Sequence, residues 1–443
     1  MLISSYIKGV TLEIKLHDIL IQYIDKLDSS RYTLPIVMKS MKDELKIATN
    51  KFDEFMNANL VNLNKSKFLF DIQWSDKKYI MTFKDFQYQF DELVLEEDNE
   101  YAIPIKDIKE FQKYEQKITH LSIASDTLPK NFLVSYVSQY DAFLGELVEH
   151  ILLLKPELFN NSDKELKFKD LIEFNTIQEA REFILEKEIN SLLRKSHSEQ
   201  FEWMENKFDV KLTKGLNIWK SFIEITERRN LFVHNNGTVS NQYIKVCNEH
   251  IINLDNIEIG TVLKVNSLYL RKSYSVFYEL GFKLVNVLWR KLFPNNLEDA
   301  DNSLIELTVE LLRHKRYELA KTLLDFACIT LKKYHSDVTR RMIIINRAIA
   351  YKFSTDNSKC QEILSKDDWS ATSLSFQLAI AVLNDNDNEV YKLMICIGNK
   401  STEITEYEYA EWPLFEKYKY KTEFQDTFKK IFNKELELIE IID

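Results

Sequence analysis

The sequence predicts a mainly α protein. A small α+β unit stands at the N-terminus, a helical domain in the middle, and an α-solenoid of helix pairs at the C-terminus. Three observations carry this. Only 7 glycines and 6 prolines punctuate 443 residues, which favours long helices over many tight turns. Apolar residues recur at helical spacing through most of the chain. Finally, RAIAYKFSTDNSKCQEIL (347–364) lines up with LAIAVLNDNDNEVYKLMI (378–395), and such self-similarity marks stacked helix pairs.

Taken in order, residues 1–60 read as two helices. The second, from Ile36 to Leu60, carries Met38, Met41, Leu45, Ala48, Phe52, Phe55 and Met56 on one face. The period then changes: FLFDIQW (68–74) and YIMTFKDFQYQF (79–90) are aromatic and partly alternating, as in a hairpin or small sheet. EEDNEYAIPIKD (96–107) reads as a loop before another helix, closing an N-terminal unit at 1–125. From Asn131 the helical stripe Phe132, Tyr136, Val137, Tyr140, Phe143, Leu144, Leu147, Val148, Ile151 leads to Lys155-Pro156, where proline forbids continuation. Helices follow at Thr176 to Lys195, Gln200 to Lys207 and Thr213 to Asn235. Gly237 suits the left-handed position past that last helix. Ser240 is placed to cap a helix through Cys247, 257–265 is β-like, and Ser267 to Phe293 forms a long helix ended by Pro294. The helical domain is thus 131–293. In the final stretch, 300–443, ELLRHKRYELAKTLL (310–324) repeats the turn between two helices, the helix pairs together resemble tetratricopeptide repeats, and the tail supplies one or two capping helices.

Composition removes several function classes. The net charge of −10 argues against non-specific coating of nucleic acid. Cys247, Cys328, Cys360 and Cys396 are widely spaced with no CxxC, which suits a reducing cytoplasm and gives neither a disulfide framework nor a zinc knuckle. The N-terminus lacks the pattern of a signal peptide, and no apolar run approaches the roughly 20 residues that span a bilayer. HExxH, GxxxxGK[ST], GxGxxG and GxSxG are all missing. No cofactor or metal is therefore called for, and the expected location is the cytoplasm.

What remains is RRNLFVHNNG, Arg228 to Gly237. On a helix, Glu227, Asn230 and His234 stack on one face at spacings of three and four, with Arg229 on its flank. Trp219, Phe222, Ile223 and Leu231 make the apolar stripe beside them. His234 falls in the last turn, where exposed carbonyls favour an imidazolium while Arg229 disfavours it. Both protonation states are then accessible near neutral pH. An imidazole and a guanidinium suit RNA cleavage through the ribose 2′-hydroxyl. One group takes a proton, one gives a proton, and a cation steadies the phosphorus oxygens. A single copy supplies half such a set, and a two-fold homodimer supplies two of each.

Arg229-Asn230-Leu231-Phe232-Val233-His234 resembles the R-x4-H motif of the HEPN superfamily of helical RNases and nucleotide-binding domains. The upstream aromatic helix SYVSQYDAFLGELVEHIL and the downstream NNGTVSNQYI fit the same context, and the resemblance covers about 131–275. It implies a central HEPN-like bundle with Arg229 and His234 catalytic, Asn230 supporting, a composite dimer cleft and no metal. It also implies a toxin or antiphage role in abortive infection, with a trigger or regulator protein acting through 1–125 or 304–397. Some members of the superfamily are non-catalytic binding modules, and a helical scaffold is the alternative function.

Other basic residues have two readings each. Arg228 is either a second phosphate contact or the partner of Glu224 one turn earlier. Arg194 and Lys195, with His197, either contact RNA phosphate or complement a helix terminus. Arg313 to Arg316 is either an RNA-backbone cluster or a solvated turn. Between 131 and 275 there are 18 Lys and Arg against 21 Asp and Glu, which favours a short or selective RNA substrate over broad binding.

Overall fold

In the computed structural model the chain is described at residues 15–59, 61–62, 78–82, 100–104, 107–160, 166–167 and 171–437. It is mainly helical. The elements are α1 (Leu16–Asn59), β1 (Val61–Asn62), β2 (Lys78–Thr82), β3 (Glu100–Pro104), α2 (Ile108–Leu154), α3 (Pro156–Asn160), α4 (Ile177–Leu193), α5 (His197–Phe208), α6 (Trp219–His234), α7 (Asn241–Glu249), α8 (Ser267–Leu292), α9 (Leu297–Arg313), α10 (Tyr317–Asp325), α11 (Asp337–Phe353), α12 (Asn357–Leu364), α13 (Leu374–Leu383), α14 (Asp387–Ile397), α15 (Glu406–Glu411) and α16 (Thr422–Phe432). None of the described helices is long and apolar enough to cross a membrane. The residues group into two compact units, one of Met1–Ile24, Gln139–Ile223 and Ser275–Asp443, the other of Asp25–Ser138 and Glu224–Tyr274.

The first unit is built on aromatic packing and helix pairs. Tyr23 stacks on Phe143 at 4.2 Å between ring centroids and donates its hydroxyl to the Phe277 carbonyl at 3.0 Å. Gly281 in α8 admits that ring: a Cβ there would lie 2.5 Å from Tyr23, so only a bare backbone allows the approach. Tyr140, Phe222 and Phe277 meet at 5.1–5.8 Å. Further along, α9/α10, α11/α12 and α13/α14 each pack as a helix pair. The three pairs turn alike. Lys315, Thr355 and Asp385 are left-handed. The next amide then reaches back five residues, Arg316 to Leu311 at 2.8 Å, Asp356 to Tyr351 at 3.0 Å and Asn386 to Ala381 at 3.0 Å. This is the closure that satisfies the last carbonyls of a helix. The similarity between 347–364 and 378–395 is therefore a shared turn as well as a shared apolar pattern. After α10, Phe326–Thr330 forms one π-helical turn.

In the second unit, Ala48, Phe52, Phe55 and Met56 of α1 pack against Phe111 and Ile118 of α2, the face expected from the spacing of 36–60. The three-stranded sheet has the order β1-β3-β2 and is antiparallel, with Met81 opposite Tyr101 and Val61 opposite Ala102.

Several boundaries differ from expectation. Ile36 does not begin a new helix, because α1 passes through Pro35. Nor does Asn131, because α2 starts at Ile108 and passes through Pro129. Proline removes one backbone bond and costs about 3 kcal/mol inside a helix. In both helices buried apolar residues stand before and after the proline, as with Leu27 and Ala48 in α1 and Ile118 and Leu133 in α2, so packing outweighs that penalty. Residues 100–104 are the middle strand rather than a loop, and β2 pairs with them. FLFDIQW lies outside the described residues. Helix α6 begins at Trp219, not Thr213, because Gly215 is left-handed at φ +78° and Thr213 is tied to Glu205 through its amide and hydroxyl. Of the β-like stretch 257–265, only the bridge Thr238–Val262 forms.

Candidate functional site

The C-terminal half of α6, from Glu224 to His234, belongs to the second unit, and two polar arrangements stand on it. The first is centred on Glu224. Arg228 donates from Nε to Glu224 Oε1 at 2.7 Å, Tyr243 of α7 donates its hydroxyl to the same oxygen at 2.8 Å, and Tyr269 of α8 donates to Oε2 at 2.7 Å. The Arg228 guanidinium lies over the Tyr269 ring at 4.2 Å and donates to the Lys264 carbonyl at 3.3 Å. Glu224 and Arg228 side chains are only 13% and 14% exposed, so their charges are compensated by geometry rather than by water. Burial, and then the Glu224 carboxylate beside them, push the phenols of Tyr243 and Tyr269 well up. The same two causes raise the Cys247 thiol to about 11.

The second arrangement carries the motif. Asn230 donates to Glu227 Oε1 at 3.4 Å, so two members of the expected face touch. Arg229 and Asn230 are half-buried, and His234 is exposed in the last turn. Among the described residues the His234 side chain makes no hydrogen bond or ion pair. The helix end behind it is closed by backbone hydrogen bonds. Asn236 and Gly237 are both left-handed, at φ +48° and +80°. The amides of Asn235 and Gly237 converge on the Leu231 carbonyl at 2.8 and 3.0 Å. A Cβ on Gly237 would meet the Phe232 ring at 2.8 Å and the Leu263 carbonyl at 3.2 Å. Beneath the turn Leu231, Val239, Tyr243, Cys247 and Leu263 form a small core. Ser240 caps α7 as expected, accepting from the Tyr243 amide at 3.3 Å.

The structure thus sets Arg228, Arg229, Asn230 and His234 on one stretch of helix but gives them different surroundings. Arg228 takes the Glu224 pairing that i−4 spacing offered. Arg194 and Lys195 are exposed at the C-terminus of α4 and belong to the other unit. Their neighbour His197 is buried, hydrogen-bonded to Asp141 at 3.0 Å and edge-on to Phe222 at 5.3 Å, a core histidine rather than a phosphate ligand. The Arg313 to Arg316 turn is internally engaged: Arg313 donates to the Glu411 carbonyl and the Tyr407 hydroxyl, His314 meets Glu310, and Arg316 lies over Tyr278. Sequence reasoning missed Tyr243 and Tyr269 as partners of Glu224. Its one usable signal was the Glu224–Arg228 spacing, because nothing local points to two phenols 19 and 45 residues downstream.

Comparison with known protein families, curated proteins and solved structures gives no match to this chain.

Proposed function

We propose that the protein is a metal-independent RNA endonuclease of the HEPN type, acting as a homodimer with a shared cleft. The observation that carries the reading is the exposed, unengaged imidazole of His234 on a hydrogen-bond-closed helix end, beside Arg229 and Asn230. An imidazole in solvent can exchange a proton with a bound substrate. In the proposed reaction a neutral His234 removes the proton of a ribose 2′-hydroxyl, whose oxygen attacks the adjacent phosphorus. The bond from phosphorus to the 5′-oxygen breaks, and the protonated His234 of the second copy gives that oxygen its proton. Arg229 steadies the phosphorane oxygens by charge-assisted hydrogen bonds, and Asn230, held by Glu227, orients the pair. The products are a 2′,3′-cyclic phosphate and a 5′-hydroxyl. The resemblance further suggests a defence or toxin role in the cytoplasm, with residues 1–125 or 304–397 receiving a protein trigger. The test is incubation of the full chain with total RNA and tRNA in EDTA, beside His234→Ala and Arg229→Ala. Cleavage by wild type alone supports the reading. Equal cutting by the variants, or no cutting with or without infected-cell extract, defeats it.

A further inference from the structure

A cavity of about 360 Å³ opens within the helix pairs of the first unit. Its walls are the first helix of each pair and a crossing segment. Ile305, Val309 and Arg313 of α9 stand at spacings of four, as do Val338, Met342 and Asn346 of α11, and Phe376 of α13 faces them with Ile404 and Trp412 from the segment that follows. The lining is largely apolar, and Val338 and Tyr407 at the rim are more than half exposed. Arg313, Asn346, Ser375, Glu403 and Glu408 are its polar members, and only one of these is buried. Asn346 is fully buried, its Oδ1 accepts from the Trp412 indole at 3.3 Å, and its Nδ2 has no partner among the described residues. Flipping the amide would not cure this, because it would set an N–H against the indole N–H. A buried donor is normally satisfied, and a largely apolar cavity of this size with a few polar groups has the character of a small-molecule site.

We propose that this cavity binds a compact apolar molecule bearing a carbonyl oxygen, which accepts from Asn346 Nδ2 while its apolar body fills the space between α9, α11 and α13. Glu403, Ile404, Tyr407, Glu408 and Trp412 line the cavity together with those helices, and a space bounded by four segments suits a compact ligand better than an extended chain. The proposal does not depend on the nuclease reading.

The test uses 4-phenyl-2-butanone as probe, with the full-length chain, followed by saturation-transfer NMR titration. Wild type should bind it at millimolar concentration or below. Asn346→Leu, which removes the donor at similar volume, should weaken binding by about five- to tenfold. Val309→Phe and Ser375→Leu, which fill the cavity from two walls, should abolish it, and a thermal melt of each confirms folding. If Val309→Phe does not fold, Ser375→Leu decides. No binding to wild type, unchanged binding by Asn346→Leu, or wild-type binding by a folded cavity-filling variant each overturns the proposal.

Discussion

Glu224 and His234 stand ten residues apart on one helix and are treated in opposite ways. Glu224 accepts three hydrogen bonds from Arg228, Tyr243 and Tyr269 and joins α6, α7 and α8 through them. His234 is exposed and bonded to nothing described. A buried, fully partnered charge fixes a fold and is costly to disturb. A group that exchanges protons with an outside molecule, the role proposed for His234, needs the reverse: a fixed backbone and a free side chain. Helix α6 has both, with the Glu224 network at its middle and the closed Gly237 turn behind His234.

This contrast can be broken from the fold side first. Glu224→Ala leaves Arg228 and two phenols without their common acceptor and should destabilise by about 3–5 kcal/mol. Urea unfolding measures it, and a change below 1 kcal/mol would show that the network is not the anchor. Gly237→Ala comes next. A Cβ would meet Phe232 at 2.8 Å on a backbone at φ +80°, so a loss of about 1–3 kcal/mol is expected. Tyr269→Phe removes one hydrogen bond and should lose about 1 kcal/mol. His234→Ala and Asn230→Ala should change stability by less than about 0.5 kcal/mol, as exposed or lightly held positions do.

The alkaline limb of stability sharpens the same difference. Burial, and then Glu224, raise the folded-state pKa of Tyr243, Tyr269 and Cys247. A group with a raised folded pKa contributes stability that is full below its unfolded value and lost as pH rises above it. Thermal melts should therefore fall as pH climbs past about 9–10, the unfolded range of thiol and phenol. Tyr269→Phe should flatten that fall, and His234→Ala should leave it unchanged.

How much of this was legible in sequence differs by residue. The turn after His234 was readable because glycine permits a left-handed backbone, and the Glu224–Arg228 pair was readable because helical spacing brings i and i+4 together. The continuation of α1 and α2 through Pro35 and Pro129 was not readable. A local rule stops a helix at proline, and only packing on both sides of it decides otherwise. Strand 100–104 was hidden for a related reason: its polar flanks read as a loop, and its partner β2 lies some 20 residues earlier. The roles of Tyr243, Tyr269 and Asn346 depend on contacts between separate helices, which no spacing within one segment encodes.

The central claim is that His234 moves protons in RNA cleavage while playing little part in the fold. The most direct measurement is the cleavage rate of wild type and His234→Ala on the same RNA in EDTA, with mass spectrometry of the new ends and a melting curve for each protein. The account predicts matching melts, a loss of about 10²–10⁴-fold in rate, and 2′,3′-cyclic phosphate ends from wild type. Equal rates, or ends bearing a 3′-hydroxyl, would contradict it.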